Sequence, residues 1–405
     1  MTTSLDARIA DACSSFQEVF GRAPRSFGRA PARVELLGNH TDYNGGLVMA
    51  AAVDRETIVV GERTSGRIAR VHAAHFGVID EFSLDAIERG APGGWERYVR
   101  GVCWALAEAH GTLAGGFDAV IVGDVPLGAG LSSSASLQAA LGLFLVHEGV
   151  VGAPSPAELG HDDARLTLAR VLNRSENHFV GVGSGLLDQF SCLFGRGGHA
   201  IYLDCASLAF DRVPLGRPGP AIVVCDSRTS RRLADGKYDE RKGECDRAAA
   251  VLRGVFQRDE RASLSTFSRA ELEHAWNSID GTARKRARHV ITENERVRKG
   301  VAVLRNGDIE EFGRLISASH ASSRDDFENS SPALDLLIEC AESAPGFLGG
   351  KLSGAGWAGC TVNLAWAERA EDFAESVRQE YSRKGGVAPL VHVCQSTDGA
   401  TGGRL

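Results

Sequence analysis

Pro126-Leu127-Gly128-Ala129-Gly130-Leu131-Ser132-Ser133-Ser134-Ala135-Ser136 is the stretch that decides the fold class. It follows a strand-like run, Phe117-Asp118-Ala119-Val120-Ile121-Val122, and leads directly into the apolar, helix-favouring segment Leu137 to Val146. A Gly/Ser-rich turn from strand to helix is a phosphate cradle. Glycines let the backbone come close, the first-turn N–H groups point at an anion, and the helix dipole favours negative charge. Serine hydroxyls add ligands for phosphate oxygens or for Mg2+. No Gly-Lys-Ser/Thr follows the glycines, so this is not a Walker A loop. The segment reads as part of a chain that handles a nucleoside triphosphate, the bland alternative being a Gly/Ser linker.

Composition narrows the partners. The chain has 405 residues, which suggests two or three domains. Its 45 Lys and Arg residues against 52 Asp and Glu residues leave a formal charge of −7, which disfavours nucleic acid or an anionic membrane surface and suits a small substrate. Nine cysteines without a C-x-x-C pair argue against a disulfide framework or structural zinc and for a reducing cytoplasm. The N-terminus lacks the pattern of a signal peptide, and no apolar run reaches the ~18–20 residues of a membrane span. A monomer or weak homo-oligomer is expected.

Working outward, Leu5 to Phe20 reads as a helix and Val34 to Val60 as strands of a meander. Trp95 to His110 and Arg165 to Phe179 have helical periodicity, and Ala200 to Leu203 and Ala221 to Cys225 read as strands. Charged helices follow from about Glu240 to Phe256 and Thr282 to Leu304, with a further helix near Leu334–Ala341. The whole is α+β, expected as two domains at 1–200 and 201–405, with Gly195–Gly198 and Pro214–Pro220 as boundary candidates.

Three further stretches carry chemistry. Arg33-Val34-Glu35-Leu36-Leu37-Gly38-Asn39-His40-Thr41-Asp42-Tyr43-Asn44-Gly45-Gly46 packs charged groups and amides into a turn, the equipment for binding sugar hydroxyls or simply a polar β-turn. Gly181-Val182-Gly183-Ser184-Gly185-Leu186-Leu187-Asp188 sets a lone carboxylate among glycines, either a base or anchor in a dry pocket or a helix cap. Gly349 to Cys360 contains a formal G-x-G-x-x-G, but it reads as following a helix and opening a strand, the wrong context for a dinucleotide fold.

Taken in order and spacing, these motifs resemble the GHMP kinases, the small-molecule kinases named for galactokinase, homoserine kinase, mevalonate kinase and phosphomevalonate kinase, and among them the galactokinase family. Glu176 through Phe190, Lys237-Tyr238-Asp239-Glu240-Arg241, Arg286 through Val290 and Ser323 through Glu328 add to the likeness. The resemblance implies a two-domain architecture with the active site in the interdomain cleft, and γ-phosphoryl transfer from ATP with Mg2+ to the anomeric hydroxyl of galactose. It implies that Asp188 orients or deprotonates that hydroxyl and that Arg33 offsets charge beside it. Gly128, Gly130, Leu131, Ser132, Ser133 and Ser134 would cradle the phosphates, with Ser134 and Glu176 as magnesium neighbours. Asn39, His40, Asp42, Gly185 and Tyr238 would contact the sugar, and Trp95 would lie near the adenine.

The chain departs from the family pattern at Asn39, where the usual motif Gly-Glu-His-Thr-Asp-Tyr-Asn has Glu, a group the resemblance assigns to the sugar's 6-hydroxyl. An amide at this place admits a related galacto-configured sugar: galacturonate, L-arabinose or N-acetylgalactosamine. Ala32, Lys351 and Trp357 also depart, and read as packing adjustments. A silent sugar and ATP sensor is the alternative from another class; intact Arg33, Asp188 and serine loop speak against it. The His40–Asn44 stretch and Tyr238 speak against a non-sugar alcohol.

Overall fold

The computed structural model describes residues 5–216, 218–229, 236–385 and 387–405. Helix α1 (Leu5–Phe20) precedes β1 (Ser26–Leu37) and β2 (Leu47–Arg63), a long antiparallel pair joined by the turn at 38–46. Then come β3 (Ile68–Ala73), β4 (Val78–Ser83), α2 (Glu96–His110) and β5 (Phe117–Gly123); β5 pairs antiparallel with β2 and parallel with β3. Helices α3 (Ser133–His147), α4 (Asp162–Arg174) and α5 (Leu187–Phe194) follow, and β6 (His199–Asp204) and β7 (Phe210–Pro214) extend the same sheet beside β2.

A second, antiparallel sheet is built from β8 (Ala221–Asp226), β9 (Phe347–Leu352), β10 (Cys360–Ala365) and β11 (Leu390–Cys394), in the order β11-β8-β10-β9. Its helices are α6 (Lys237–Phe256), α7 (Arg269–His274), α8 (Gly281–Arg305), α9 (Ile309–Ser322), α10 (Pro332–Glu342) and α11 (Ala370–Gly385). The chain then returns to the first sheet: β12 (Thr401–Arg404) pairs with β1, Ser26 opposite Arg404. Among the described residues the first sheet has eight strands with β12 counted. A division at residue 200 therefore falls inside β6, and sheet membership changes only after Pro214.

The first sheet is covered by α2 to α5, through a core that includes Val59, Val71, Phe117, Phe144 and Phe190. On its other face Phe16 of α1 packs with Ile58 and Val60. Between Pro31 and Ala32 the β1–β2 register slips. Pro31 faces Glu56 and Ala32 faces Val53, a shift of two residues along β2. Ala30 belongs to the helix-side core, whereas Ala32, Val34 and Leu36 pack against Ile222, Val224, Val362 and Leu364 of the second sheet. The alternate residues Arg33 and Glu35 are left on the opposite face, in the cleft between the two halves.

One helix expected to be regular is not. The segment read as helical from Arg165 to Phe179 is α4 followed by a π-helical turn at Ser175–Val180. A second π turn, Ser323–Phe327, follows α9. The Gly349 to Cys360 stretch is a strand hairpin, Gly349 and Gly350 being within β9. A Cβ on Gly349 would stand 2.0 Å from the Gly313 carbonyl oxygen of α9, so the glycines serve close helix–sheet packing. Among the described residues no helix is long and apolar enough to cross a membrane.

Candidate active site

The loop at 124–132 leads from β5 into α3. Gly128 (φ 76°) and Gly130 (φ 69°) take left-handed backbone, and so does Ser132 (φ 53°), which caps α3. Ser133 and Ser134 form the first turn, where unpaired N–H groups and the helix dipole face the cleft. Ser136 has a different job: it is fully buried and its hydroxyl donates to the Ala30 carbonyl at 2.8 Å, tying α3 to β1.

Asp188 stands in the first turn of α5 opposite this loop. Arg33 of β1 reaches its Oδ1 with Nε at 2.7 Å and Nη2 at 2.6 Å, while Ser132 Oγ donates to Oδ2 at 2.5 Å. Arg33 Nη1 also donates to the Gly130 carbonyl at 2.9 Å, so one guanidinium joins the phosphate loop to the carboxylate. Burial would weaken the Arg33 charge, but the adjacent Asp188 more than offsets it, and the guanidinium's pKa is raised. Ser134 Oγ donates to Glu176 Oε1 at 3.3 Å, and Gln189 Nε2 donates to the other oxygen of Glu176. Burial, helped by the charge of Asp188, pushes the Glu176 carboxyl above its ordinary range.

The 38–46 turn forms the other wall. Asp42 is pushed up to about 7, chiefly by burial and then by the charge of Glu35. A Cβ at Gly185 would lie 2.1 Å from Asp42 Oδ2, so this approach requires glycine. His40 is lowered to about 3 by burial and is neutral at working pH. Its Nε2–H donates to the Ala355 carbonyl at 3.0 Å, which leaves Nδ1 to accept from Tyr43 Oη at 2.8 Å. His40 stacks on Phe327 at 4.5 Å, with Tyr238 at 5.4 Å. Asn39 is buried with its amide bonded on both sides by protein groups.

Arg33, Asn39, His40, Asp42, Gly128, Gly130, Leu131, Ser132, Ser133, Ser134, Glu176, Gly185, Asp188 and Tyr238 all line one cleft of about 620 Å³. Trp95 lines an adjoining, more apolar cavity of about 350 Å³, joined to the first through Tyr98, Ser133 and Ser134. Its ring stacks near Phe76 at 6.3 Å. Phosphates at the serine loop would thus place a flat heterocycle against Trp95 and a second substrate against Asp188.

Several residues of the site escaped the sequence reading. Glu35 lines the cleft and accepts from Lys351 Nζ at 2.6 Å, so Lys351 is a buried ion-pair partner and not a packing adjustment. Glu293 of α8 accepts the Gly38 N–H at 2.9 Å and the Ser319 hydroxyl at 2.6 Å, holding the turn to the second half of the chain. Burial would raise the Glu293 carboxyl, but Arg296 and His289 outweigh it and lower it to about 2. His289 Nε2 donates to the Asn39 carbonyl at 2.8 Å. Arg286 through Val290 is part of the family likeness, but nothing local in that stretch shows the contact of His289 with the Asn39 carbonyl. Trp357 is left-handed (φ 59°), and its Nε1 donates to the Glu328 carbonyl at 3.2 Å.

Comparisons with known proteins show the family of the chain. Residues 14–63 match the galactokinase galactose-binding signature, 97–196 the GHMP kinases N terminal domain, and 301–383 the GHMP kinases C terminal. The chain is 41% identical to a galactokinase of Roseiflexus sp. (strain RS-1), over 95% of this chain and 94% of that one. It is 36% identical to the Homo sapiens galactokinase, over 97% and 96%. The crystal structure of Lactococcus lactis galactokinase complexed with galactose matches with a TM-score of 0.88 at 34% identity, covering 97% of this chain and 99% of that chain. A mevalonate kinase of Methanococcus jannaschii, at 14% identity and a TM-score of 0.61, shares the fold. The chain therefore belongs to the galactokinase family of the GHMP kinases.

Proposed function

We propose that the enzyme transfers the γ-phosphoryl group of MgATP to the anomeric hydroxyl of D-galactose, giving α-D-galactose 1-phosphate and ADP. The observation that carries this reading is the Arg33–Asp188–Ser132 cluster, set between a phosphate-binding helix terminus and a wall of sugar-binding groups. Phosphoryl transfer needs positioning and charge neutralisation more than a strong base. Asp188 Oδ1 is held by Arg33, so Oδ2, now bonded to Ser132, is the oxygen that takes the sugar's anomeric O–H. The hydroxyl oxygen attacks the γ-phosphorus as the bond to the β-phosphate oxygen breaks, and the hydroxyl proton leaves toward Oδ2. Arg33 and the first-turn N–H groups of α3 offset the negative charge on the transferring group.

Mg2+ belongs to the nucleotide in this reading. Ser134 and Glu176 offer a hydroxyl and a carboxylate 3.3 Å apart, the hard oxygen donors Mg2+ takes. Among the described residues no group of three or more His, Cys, Asp or Glu could hold a metal alone, so the phosphates would complete the shell. Asp42 and Tyr238 face the sugar ring, Gly185 lets Asp42 approach, His40 and Asn39 brace the wall behind them, and Trp95 packs against the adenine. The two halves of the chain act as two domains around this cleft, with the link at 214–220. We place the enzyme in the cytoplasm, in keeping with nine cysteines that form no disulfide among the described residues.

Coupled ADP release with MgATP tests the reading across galactose, N-acetylgalactosamine, galacturonate, L-arabinose, glucose and mevalonate. Galactose is expected to give the highest kcat/KM. A preference for another member would move the substrate, and ADP release from none would return the sensor reading.

A further inference from the structure

Asn39 has no hydrogen-bonding capacity left for a ligand. Its Nδ2 donates to Glu35 Oε1 at 3.1 Å and to the Gly354 carbonyl at 2.9 Å. Its Oδ1 accepts from Asn329 Nδ2 at 3.0 Å and from Ser323 Oγ at 3.3 Å. An amide owns two donor hydrogens and two acceptor lone pairs, so the set is complete, and the residue is 1% exposed.

Glu35 is in the opposite condition. Oε1 is fixed by Lys351 Nζ at 2.6 Å and by Asn39, and Oε2 forms no hydrogen bond among the described residues. Lys351 is fully buried, so the carboxylate is anchored from behind while the side chain lines the cleft. Its charge reaches the sugar-facing groups: it is the second cause, after burial, of the raised Asp42. Placement along β1 fixes which end of the sugar it meets. Arg33 marks the anomeric end through Asp188, and Glu35 follows two residues later on the same face. Two residues of strand span about 6.6 Å, roughly the breadth of a pyranose ring.

We propose that Glu35, positioned by Asn39 and Lys351, accepts a hydrogen bond from the exocyclic C6 hydroxyl of the sugar and so sets the substrate class. The carboxylate that the family motif carries at position 39 is thereby supplied from position 35, at the other end of one hydrogen bond. An anionic acceptor at that end selects hexoses with a free C6 hydroxyl. It repels a C6 carboxylate and leaves a pentose one contact short. This inference rests on the sugar-kinase reading above, and it disfavours galacturonate and L-arabinose.

The experiment compares galactose with 6-deoxygalactose, L-arabinose and galacturonate, using wild type, Glu35→Gln and the exchange Glu35→Asn/Asn39→Glu. Wild-type turnover of galactose tests the sugar-kinase reading by itself. Given that turnover, Glu35→Gln is expected to raise the galactose KM about tenfold, the worth of one charge-assisted hydrogen bond, with kcat nearly unchanged. It is also expected to erase most of the preference for galactose over 6-deoxygalactose and to improve galacturonate relative to galactose. The exchange keeps a charge for Lys351 and is expected to restore the preference. If Glu35→Gln does not fold, Glu35→Asp keeps the ion pair but withdraws the carboxylate by one methylene, and the same loss of preference is expected. A galactose to 6-deoxygalactose ratio unchanged in the folded variant overturns the inference and leaves the kinase reading standing.

Discussion

Arg33 and Asp188 are 155 positions apart in the chain and meet at 2.7 Å. Buried charges are tolerated when paired, and here the pair is also shared with the phosphate loop. Asp188→Ala is expected to lower kcat by about 10²–10⁴ while leaving ATP affinity nearly intact, as equilibrium nucleotide binding would show. The second residue-scale expectation concerns Asp42. Its folded carboxyl is raised to about 7 from 3.8, so the free enzyme holds a proton there that a sugar hydroxyl donor must displace. Galactose binding should release a proton and its KM should fall as pH rises from about 6 to 8, checked by calorimetry in buffers of different ionisation enthalpy. In the unliganded fold the sign is opposite: stability from this proton is full below the unfolded pKa and is lost as pH rises through about 7. Residues of this kind were legible because each stands in a short motif whose types match its chemistry. Glu35 and Lys351 were not, because they meet across 316 positions and neither looks unusual locally.

At the scale of elements, α3 begins at the serine loop of the cleft and α8 holds the 38–47 turn that forms its other wall. The strand–loop–helix around α3 was readable because glycines, serines and an apolar helix follow a strand without a break. The role of α8 was not, since its charged sequence reads as a solvated helix, yet Glu293, Asn294 and His289 face inward to the 38–47 backbone. The π turn at Ser175–Val180 was likewise hidden, because 3.6 periodicity does not register one extra residue; it brings Glu176 beside Ser134. Glu293→Gln keeps an acceptor but removes the charge opposite Arg296. It is expected to cost about 1–3 kcal/mol in denaturant unfolding and to raise the sugar KM while the ATP KM holds. Because the Glu293 carboxyl is lowered to about 2, its stabilisation is present above about pH 4.5 and fades as pH falls through about 2.

At the scale of the whole molecule, the two sheets share one core, and β12 pairs with the end of β1 away from the cleft. Sequence could separate two halves but not their exchange of strands: β6 and β7 stay with the first sheet, and the last residues return to it. Strand pairing of such long range leaves no local mark. Deleting residues 401–405 would unpair β1 from β12 and remove the Arg404–Glu148 ion pair of 2.7 Å. A loss of about 1–3 kcal/mol in unfolding is expected, with kcat at low temperature within about twofold of the full chain, since β12 borders the end of β1 remote from Arg33.

The most direct test of the central claim is the position of the phosphate in the product. The enzyme would be run with MgATP and galactose to completion, ADP measured, and the sugar examined by proton and phosphorus NMR. One sugar phosphate per ADP is expected, with the phosphorus coupled to an α-anomeric proton at C1. A phosphate on C6 or another hydroxyl, or ADP formed without any sugar phosphate, would contradict the placement of the anomeric hydroxyl at Asp188.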